Sequence, residues 1–189
     1  MTDGTKEGAK EAGWAIRSEQ AQDTPDIDAL VAGSFGPGRY AKSAYRLREG
    51  VDAEADLSFV AVENGTLRGS VRFWPVFVGK ERALLLGPLA VESEERGRGI
   101  GLALMARGID AARAAGWPCI ILVGDEPYYA RVGFSRLPPG RVKFPGPVDR
   151  SRILGLSLLP NVLLTLSGEL RRARLDEAVC ADGAPLAAQ

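Results

Sequence analysis

The 189-residue sequence contains no histidine and only two cysteines. The absence of histidine excludes Ser-His-Asp and Cys-His catalytic sites, imidazole ligands for zinc and a histidine general base. Cys119 lies in an apolar run and Cys180 lies in a polar end of the chain. This spacing fits neither a disulfide framework nor a metal site, so we expect two ordinary thiols and no bound metal.

The sequence also lacks a long hydrophobic run and an excess of either charge. Its apolar stretches fall far short of the roughly 18 residues needed to cross a bilayer, and its first 13 residues have no signal-peptide core. The 24 Lys and Arg balance 24 Asp and Glu, which argues against a surface for nucleic acid or anionic membranes. We therefore expect a cytoplasmic protein that binds neither nucleic acid nor membrane.

Alternating helix and strand patterns predict a single domain over residues 14–178, between disordered tails at 1–13 and 179–189. Thr24-Pro25 begins a helix that ends before Gly36. A second short helix follows, and then three strands form an antiparallel meander. The turn Asn64-Gly65 joins the first two strands. The expected bounds are 40–49 for the helix and 57–62, 67–78 and 82–91 for the strands.

After the third strand the hydrophobic period changes from two to 3.6 residues. A helix over 99–115 ends at Gly116, and an apolar strand follows at 119–123. Strand, crossover helix and strand make a parallel β-α-β unit, which places the turn before the helix at the carboxyl edge of the sheet.

Downstream of this unit the pattern is less regular. We expect a short helix that begins after Asp125 and ends at Gly133. Strands at 134–137 and 153–159 flank a loop rich in proline and glycine. The apolar segment 158–170 then completes the sheet or forms a homodimer contact.

The turn between the third strand and its helix reads Arg96-Gly97-Arg98-Gly99-Ile100-Gly101. A helix N-terminus exposes unsatisfied amides and a partial positive charge, so it normally attracts acidic side chains. Here two arginines flank it instead, and the turn repels itself unless an anion completes it. Phosphate or pyrophosphate is the natural occupant. The alternative is a flexible loop whose arginines pair with Glu92, Glu94 or Glu95.

Two phosphate-binding patterns fail on this turn, because Leu102 stands where the Rossmann fingerprint needs glycine and the Walker Gly-Lys-Ser/Thr is absent. The remaining pattern, Arg-x-x-Gly-x-Gly, resembles the coenzyme A pyrophosphate loop of the GNAT acyltransferase superfamily. A second match, Tyr-x-x-x-Gly-Phe at residues 129–134, follows in the superfamily's order. The segments LLLGPLAV, RGRGIG and VGDEPYYARVGF are similar to the YhbS-like branch of its N-acetyltransferases, most strongly over residues 83–137.

This resemblance implies an α/β (α+β) GNAT-type fold, a mixed central sheet with an antiparallel N-terminal meander and a parallel β-α-β coenzyme-binding unit. It also implies acetyl-CoA as the acetyl donor. The backbone of Leu89, Ala90 and Val91 would bind the pantetheine arm, with the Leu89 amide at the oxyanion. Tyr129 would be the general acid toward the departing thiolate. The amides that would hold the pyrophosphate belong to Arg96, Gly97, Arg98, Gly99, Ile100, Gly101 and Leu102.

The acceptor side is less defined. The third strand offers no carboxylate as general base before Gly87, so Glu63, Asp125 and Glu126 acting through water are the candidates. The alternative for the acceptor candidates is surface arginines plus core aromatics, and the alternative for Tyr129 is a packed aromatic. Candidate acceptor residues are Arg39, Tyr40, Arg46, Arg72, Trp74 and Tyr128.

We expect an enzyme that transfers an acetyl group from acetyl-CoA to a primary amine of a small molecule or peptide by direct attack. One alternative is a non-catalytic acyl-CoA binding or sensing module, which the missing carboxylate favours. Another is an acetylating toxin that acts on aminoacyl-tRNA, against which the balanced charge argues. Small amines, amino acids, antibiotics and protein amines all stay open as acceptors, because they share one fold and one donor site.

Overall fold

A computed structural model of the chain describes residues 13–38 and 43–173. The predicted tails, Cys180, Arg39, Tyr40 and the start of the predicted second helix lie outside the described residues, apart from the tail residue Gly13. The strands are β1 (Ala15–Ser18), β2 (Phe59–Glu63), β3 (Thr66–Val78), β4 (Glu81–Val91), β5 (Cys119–Val123), β6 (Ser135–Arg136), β7 (Val142–Lys143), β8 (Ile153–Ser157) and β9 (Gly168–Arg172). The α-helices are α1 (Thr24–Phe35), α2 (Ser43–Arg46), α3 (Ile100–Ala114), α4 (Glu126–Tyr129) and α5 (Val162–Thr165).

The strands form a mixed sheet in the order β1-β2-β3-β4-β5-β8-β6, with β9 pairing both β3 and β7. Strands β2, β3 and β4 are the predicted antiparallel meander, and β4 and β5 pair in parallel across the crossover helix α3. The predicted fold class is therefore confirmed. The apolar C-terminal segment contributes to the sheet through β9, which pairs with the last residues of β3.

Local sequence signals account for most element boundaries. Asn64 and Gly65 have φ values of 50° and 78°, the left-handed pair that a two-residue hairpin with the strand's twist requires. Pro25 lies in the first turn of α1, and Gly36 follows its end at φ 62°. The structure differs from expectation at α2, which ends at Arg46 and not at residue 49 as predicted. It also differs at β2, which was predicted to begin at Leu57. That residue belongs to a 3-10 turn at Ala55–Leu57, and the strand begins at Phe59.

Two apolar clusters cover the two faces of the sheet. Alternation along β4 sends Leu84 and Leu86 into one cluster and Leu85 into the other. The first cluster contains the buried side of α3, and the second contains Leu47 just after α2. The centre of β4 is therefore fixed from both faces. In the part of the chain that the structure describes, no helix is long and apolar enough to cross a membrane.

Candidate active site

Strands β4 and β5 separate where the predicted coenzyme motif begins. Their parallel pairing stops at Leu85 with Ile121. Beyond that point β4 continues to Val91 against β3 alone, while β5 pairs its other edge with β8. An extra residue at Gly87-Pro88 bulges β4 at the separation. The backbone of β4 beyond Leu85 thus presents an open edge toward β5, which an extended ligand can pair with.

The glycine turn before α3 lies at the end of this open edge. Gly97 and Gly99 have φ values of 85° and 84°, and no heavy atom lies within 4 Å of the place where either would carry a Cβ. The first helical bond runs from the Ala103 amide to the Gly99 carbonyl at 3.0 Å, so the amides of residues 99–102 have no intrahelical acceptor. The turn is an open cradle of amide donors that fits an anion.

One of the two arginines on this turn is already paired. Arg98 donates to Glu63 Oε1 at 2.7 Å and also to Glu95. These hydrogen bonds raise the pKa of Arg98 above its usual high value, and the bond from Arg98 holds the pKa of Glu63 below its usual range. The expectation of two uncompensated arginines is wrong at Arg98. Its bond to Glu95 is one of the pairings named in the alternative, and Glu63 at the end of β2 is a second partner.

Arg96 differs from its neighbour. Its side chain forms no ion pair with any described residue, and it lines a cleft of about 430 Å³ between α1 and the start of β3. Arg96 is therefore the arginine of this turn whose charge no described residue matches.

The two tyrosines of α4 occupy different places. The Tyr129 ring packs against Gly124, and its centroid lies 6.0 Å from that of Phe134. Burial raises the pKa of Tyr129 to about 12. The Tyr128 hydroxyl lies against Gly101, 2.3 Å from where a Cβ would stand. Tyr128 therefore lies at the first turn of α3 near Val91 of β4, and the less exposed Tyr129 ring lies beside it with 5.2 Å between the ring centroids.

Each candidate base is held in an ion pair. Glu63 is bonded to Arg98, Asp125 lies 3.2 Å from Arg152, and Glu126 lies 2.7 Å from Arg136. The lowered pKa of Glu63 makes it a weaker proton acceptor. None of the described residues form a group of three His, Cys, Asp or Glu suited to a metal ion.

The structure separates the acceptor candidates. Arg72 is bonded to both carboxylate oxygens of Glu19, at 2.8 and 2.5 Å, so its charge is matched within the protein. Arg46 is exposed at the end of α2. Trp74 reaches the bulge of β4, where its Nε1 donates to the Gly87 carbonyl at 2.6 Å.

Sequence reasoning missed Arg48, whose guanidinium lies beside Gly87. Arg48 lies in the turn after α2, and a basic residue in such a turn has no local signal that distinguishes it from a solvated one.

Comparison with known proteins supports a specific family. A family model described as the acetyltransferase (GNAT) family matches residues 24–134. The chain is 38% identical over 122 residues to the uncharacterized N-acetyltransferase YhbS of Escherichia coli. These 122 residues cover 63% of this chain and 72% of YhbS. It is 30% identical over 162 residues to the uncharacterized N-acetyltransferase YjhQ of Escherichia coli, covering 82% and 90%.

Solved structures agree with the sequence matches. The crystal structure of Escherichia coli YhbS in complex with CoA superposes with a TM-score of 0.72 and 30% identity, covering 85% of this chain and 89% of that one. A GNAT family acetyltransferase from Brucella melitensis in complex with acetyl-CoA superposes with a TM-score of 0.63 and 25% identity, covering 85% and 96%.

Proposed function

The chain belongs to the acetyltransferase (GNAT) family and is an N-acetyltransferase, and we propose that it transfers the acetyl group of acetyl-CoA to a primary amine by direct attack. The observation that carries the proposal is the open edge of β4 running into the glycine turn of α3. An extended arm on that edge would end with its anionic group at the turn. The relatives whose structures contain CoA or acetyl-CoA support the same donor here.

The residues present fit this donor. The amides of residues 99–102 have no intrahelical acceptor, and no side chain fills the space above Gly97 and Gly99. The Arg96 and Arg98 amides are bonded to the Ser93 and Glu95 carbonyls at 3.4 Å. The amides of Gly97 and of residues 99–102 would therefore hold the pyrophosphate. The backbone of Leu89, Ala90 and Val91 would hydrogen-bond the pantetheine arm as a neighbouring strand does.

The acetyl donor supplies a thioester at the point where β4 leaves β5. The acceptor nitrogen attacks its carbonyl carbon, a C–N bond forms, and the C–S bond breaks to release a thiolate. The Leu89 amide would donate to the carbonyl oxygen as negative charge develops there. Because its pKa of about 12 keeps it protonated, Tyr129 would donate a hydrogen bond to the departing sulfur. A phenol this weakly acidic acts chiefly as a donor, and the thiolate takes its proton from Tyr129 or from water.

Proton removal from the acceptor follows from the ion pairs. Glu63, Asp125 and Glu126 are each held by an arginine. We therefore assign the proton to water, and the amine attacks in its neutral form.

Thiol release from acetyl-CoA in the presence of an amine panel tests this proposal. With an acceptor from that panel, Tyr129→Phe should lower kcat about 100-fold, within the range of general acid catalysis, with little change in acetyl-CoA affinity. Tyr128→Phe is the matched control variant and should lower kcat much less. If Tyr128→Phe loses kcat instead, the acid is Tyr128.

A second candidate is a non-catalytic acyl-CoA sensor, which the pairing of all three candidate bases favours. Tight acetyl-CoA binding by calorimetry, with no thiol release across the amine panel, would support the sensor and rule out the transfer reaction.

A further inference from the structure

Arg48 places a positive charge at the bulge of β4. Its Nη2 lies 3.0 Å from the place where a Cβ would stand at Gly87. Its guanidinium carbon is 5.9 Å from the centroid of the Trp74 ring, and the Trp74 indole is itself tied to the Gly87 carbonyl. The guanidinium therefore lies at the point where β4 separates from β5.

This charge has no counter-charge among the described residues. The Nε atom of Arg48 is buried without a hydrogen-bond partner, and burial lowers the pKa of Arg48 to about 10. Arg72 and Arg17 differ in this respect, because Arg72 is paired with Glu19 and Arg17 with Asp23. The segment 39–42 next to α2 reads Arg-Tyr-Ala-Lys and contains no acidic residue.

An unpaired cation in such a place lowers the stability of the protein unless something offsets its lost hydration. The side chain of Arg48 is only partly buried, so a ligand can reach it. A guanidinium offers a planar fork of donors that matches a carboxylate with two hydrogen bonds. The surroundings thus favour an anionic ligand over a neutral one.

We propose that Arg48 binds the carboxylate of the acceptor, and that the acceptor is a small amino acid whose amine and carboxylate are separated by one or two carbon atoms. This rests on the proposed function, which puts the reacting carbonyl at the Leu89 amide. The Leu89 amide nitrogen lies 3.8 Å from the place where a Cβ would stand at Gly87, and Arg48 Nη2 lies 3.0 Å from the same place. An amine that attacks at Leu89 while its carboxylate reaches the guanidinium beside Gly87 must therefore carry the two groups close together.

Product binding tests the site independently of turnover. With CoA present, calorimetry compares a panel of N-acetyl-L-amino acids with the matching carboxamides. The unmodified protein should bind acids from this panel and not their amides. Arg48→Gln should weaken binding of the acids roughly 10- to 100-fold, as expected for loss of a charged hydrogen bond. Arg48→Lys should fall between the two.

Two controls separate a binding role from a structural one. Arg113→Gln removes an exposed charge at the far end of α3 and should not change acid binding. The melting temperature of Arg48→Gln without ligand should stay the same or rise, because that change removes an unpaired cation. A marked fall in melting temperature would instead assign Arg48 a structural role and overturn the proposal.

The outcomes also separate this inference from the proposed function. Binding of acids without any acetyl transfer would overturn the transferase proposal and leave the carboxylate site standing. Equal binding of acids and amides, or equal acetylation of amines with and without a carboxylate, would overturn the role of Arg48 and leave the transferase standing.

Discussion

At the scale of single residues, the arginines near the site differ in whether the protein itself matches their charge. Arg98 is bonded to two carboxylates and Arg72 to one. Arg96 and Arg48 have no such partner among the described residues. A paired guanidinium fixes the loop or strand that carries it, whereas an unpaired one is available to an incoming anion.

This difference predicts separate effects for two substitutions on the same turn. Arg96→Gln should weaken acetyl-CoA binding roughly three- to tenfold, as loss of one exposed charged contact does, and leave the melting temperature unchanged. Arg98→Gln should lower the melting temperature, because Glu63 and Glu95 then keep only the longer contacts with Arg68, at 3.6 and 3.8 Å. Calorimetry and thermal unfolding measure both.

A double variant tests whether the loss of the Arg98–Glu63 ion pair causes the lower melting temperature. The double variant Arg98→Gln with Glu63→Gln should recover part of the lost melting temperature, since Arg68 then has to balance Glu95 alone instead of both carboxylates. No recovery would mean that Arg98 acts on the fold through something other than this ion pair.

At the scale of elements, α3 is held close to the sheet by a glycine. A Cβ at Gly108 would lie 2.3 and 2.6 Å from two carbons of the Phe73 ring, which is fully buried. The helix axis therefore approaches β3 more closely than any other residue at this position allows. Because α3 begins at the glycine turn, this contact also sets where the amide donors stand.

Two glycine-to-alanine changes in helices should therefore have opposite signs. The Cβ that Gly33→Ala adds in α1 would have no heavy atom within 4 Å. This change should raise the free energy of unfolding by about 0.5 to 1 kcal/mol through helix propensity. Gly108→Ala gains the same propensity, but the clash with Phe73 should leave a net loss of about 1 to 2 kcal/mol. Urea unfolding measures both. A stabilising Gly108→Ala would show that the close packing has little effect on stability.

At the scale of the whole molecule, the sequence has no histidine. The free energy of unfolding therefore has no contribution from histidine titration near neutral pH. Hydrogen bonds from Arg17, Arg98 and Ser151 lower the pKa values of Asp23, Glu63 and Asp149, respectively. A carboxylate with a lowered folded pKa stabilises the fold above its unfolded pKa, and this contribution is lost as the pH falls through the folded value. Burial raises the pKa of Glu54, which acts in the opposite direction.

The free energy of unfolding should therefore be nearly flat between about pH 5.5 and 8 and should fall below about pH 4.5. Asp23→Asn provides the matched variant, because Asp23 is buried and bonded to Arg17 at 2.6 and 2.7 Å. It should cost about 1 to 3 kcal/mol at pH 7 and reduce the acid slope. A decline in stability between pH 6 and 7 would contradict this account.

The sequence by itself was sufficient for features that neighbouring residues determine. The Asn64-Gly65 hairpin, the strand at Cys119–Val123 and the glycine turn before α3 all lie where the pattern predicts them. Turn chemistry, hydrophobic period and helix stops act over a few residues, so they can be recognised without the rest of the fold. The order of the meander and the parallel crossover followed from these elements.

Only the tertiary structure decided which charges meet. Glu63 and Arg98 are 35 positions apart, and Arg72 and Glu19 are 53 apart. Their pairing depends on the register of β2 and β3 and on the packing of the whole sheet. The same holds for Arg48, which the packing after α2 brings to the bulge of β4. A sequence pattern specifies which side chains are charged, whereas the fold determines which of those charges stay unpaired and are free to bind a ligand.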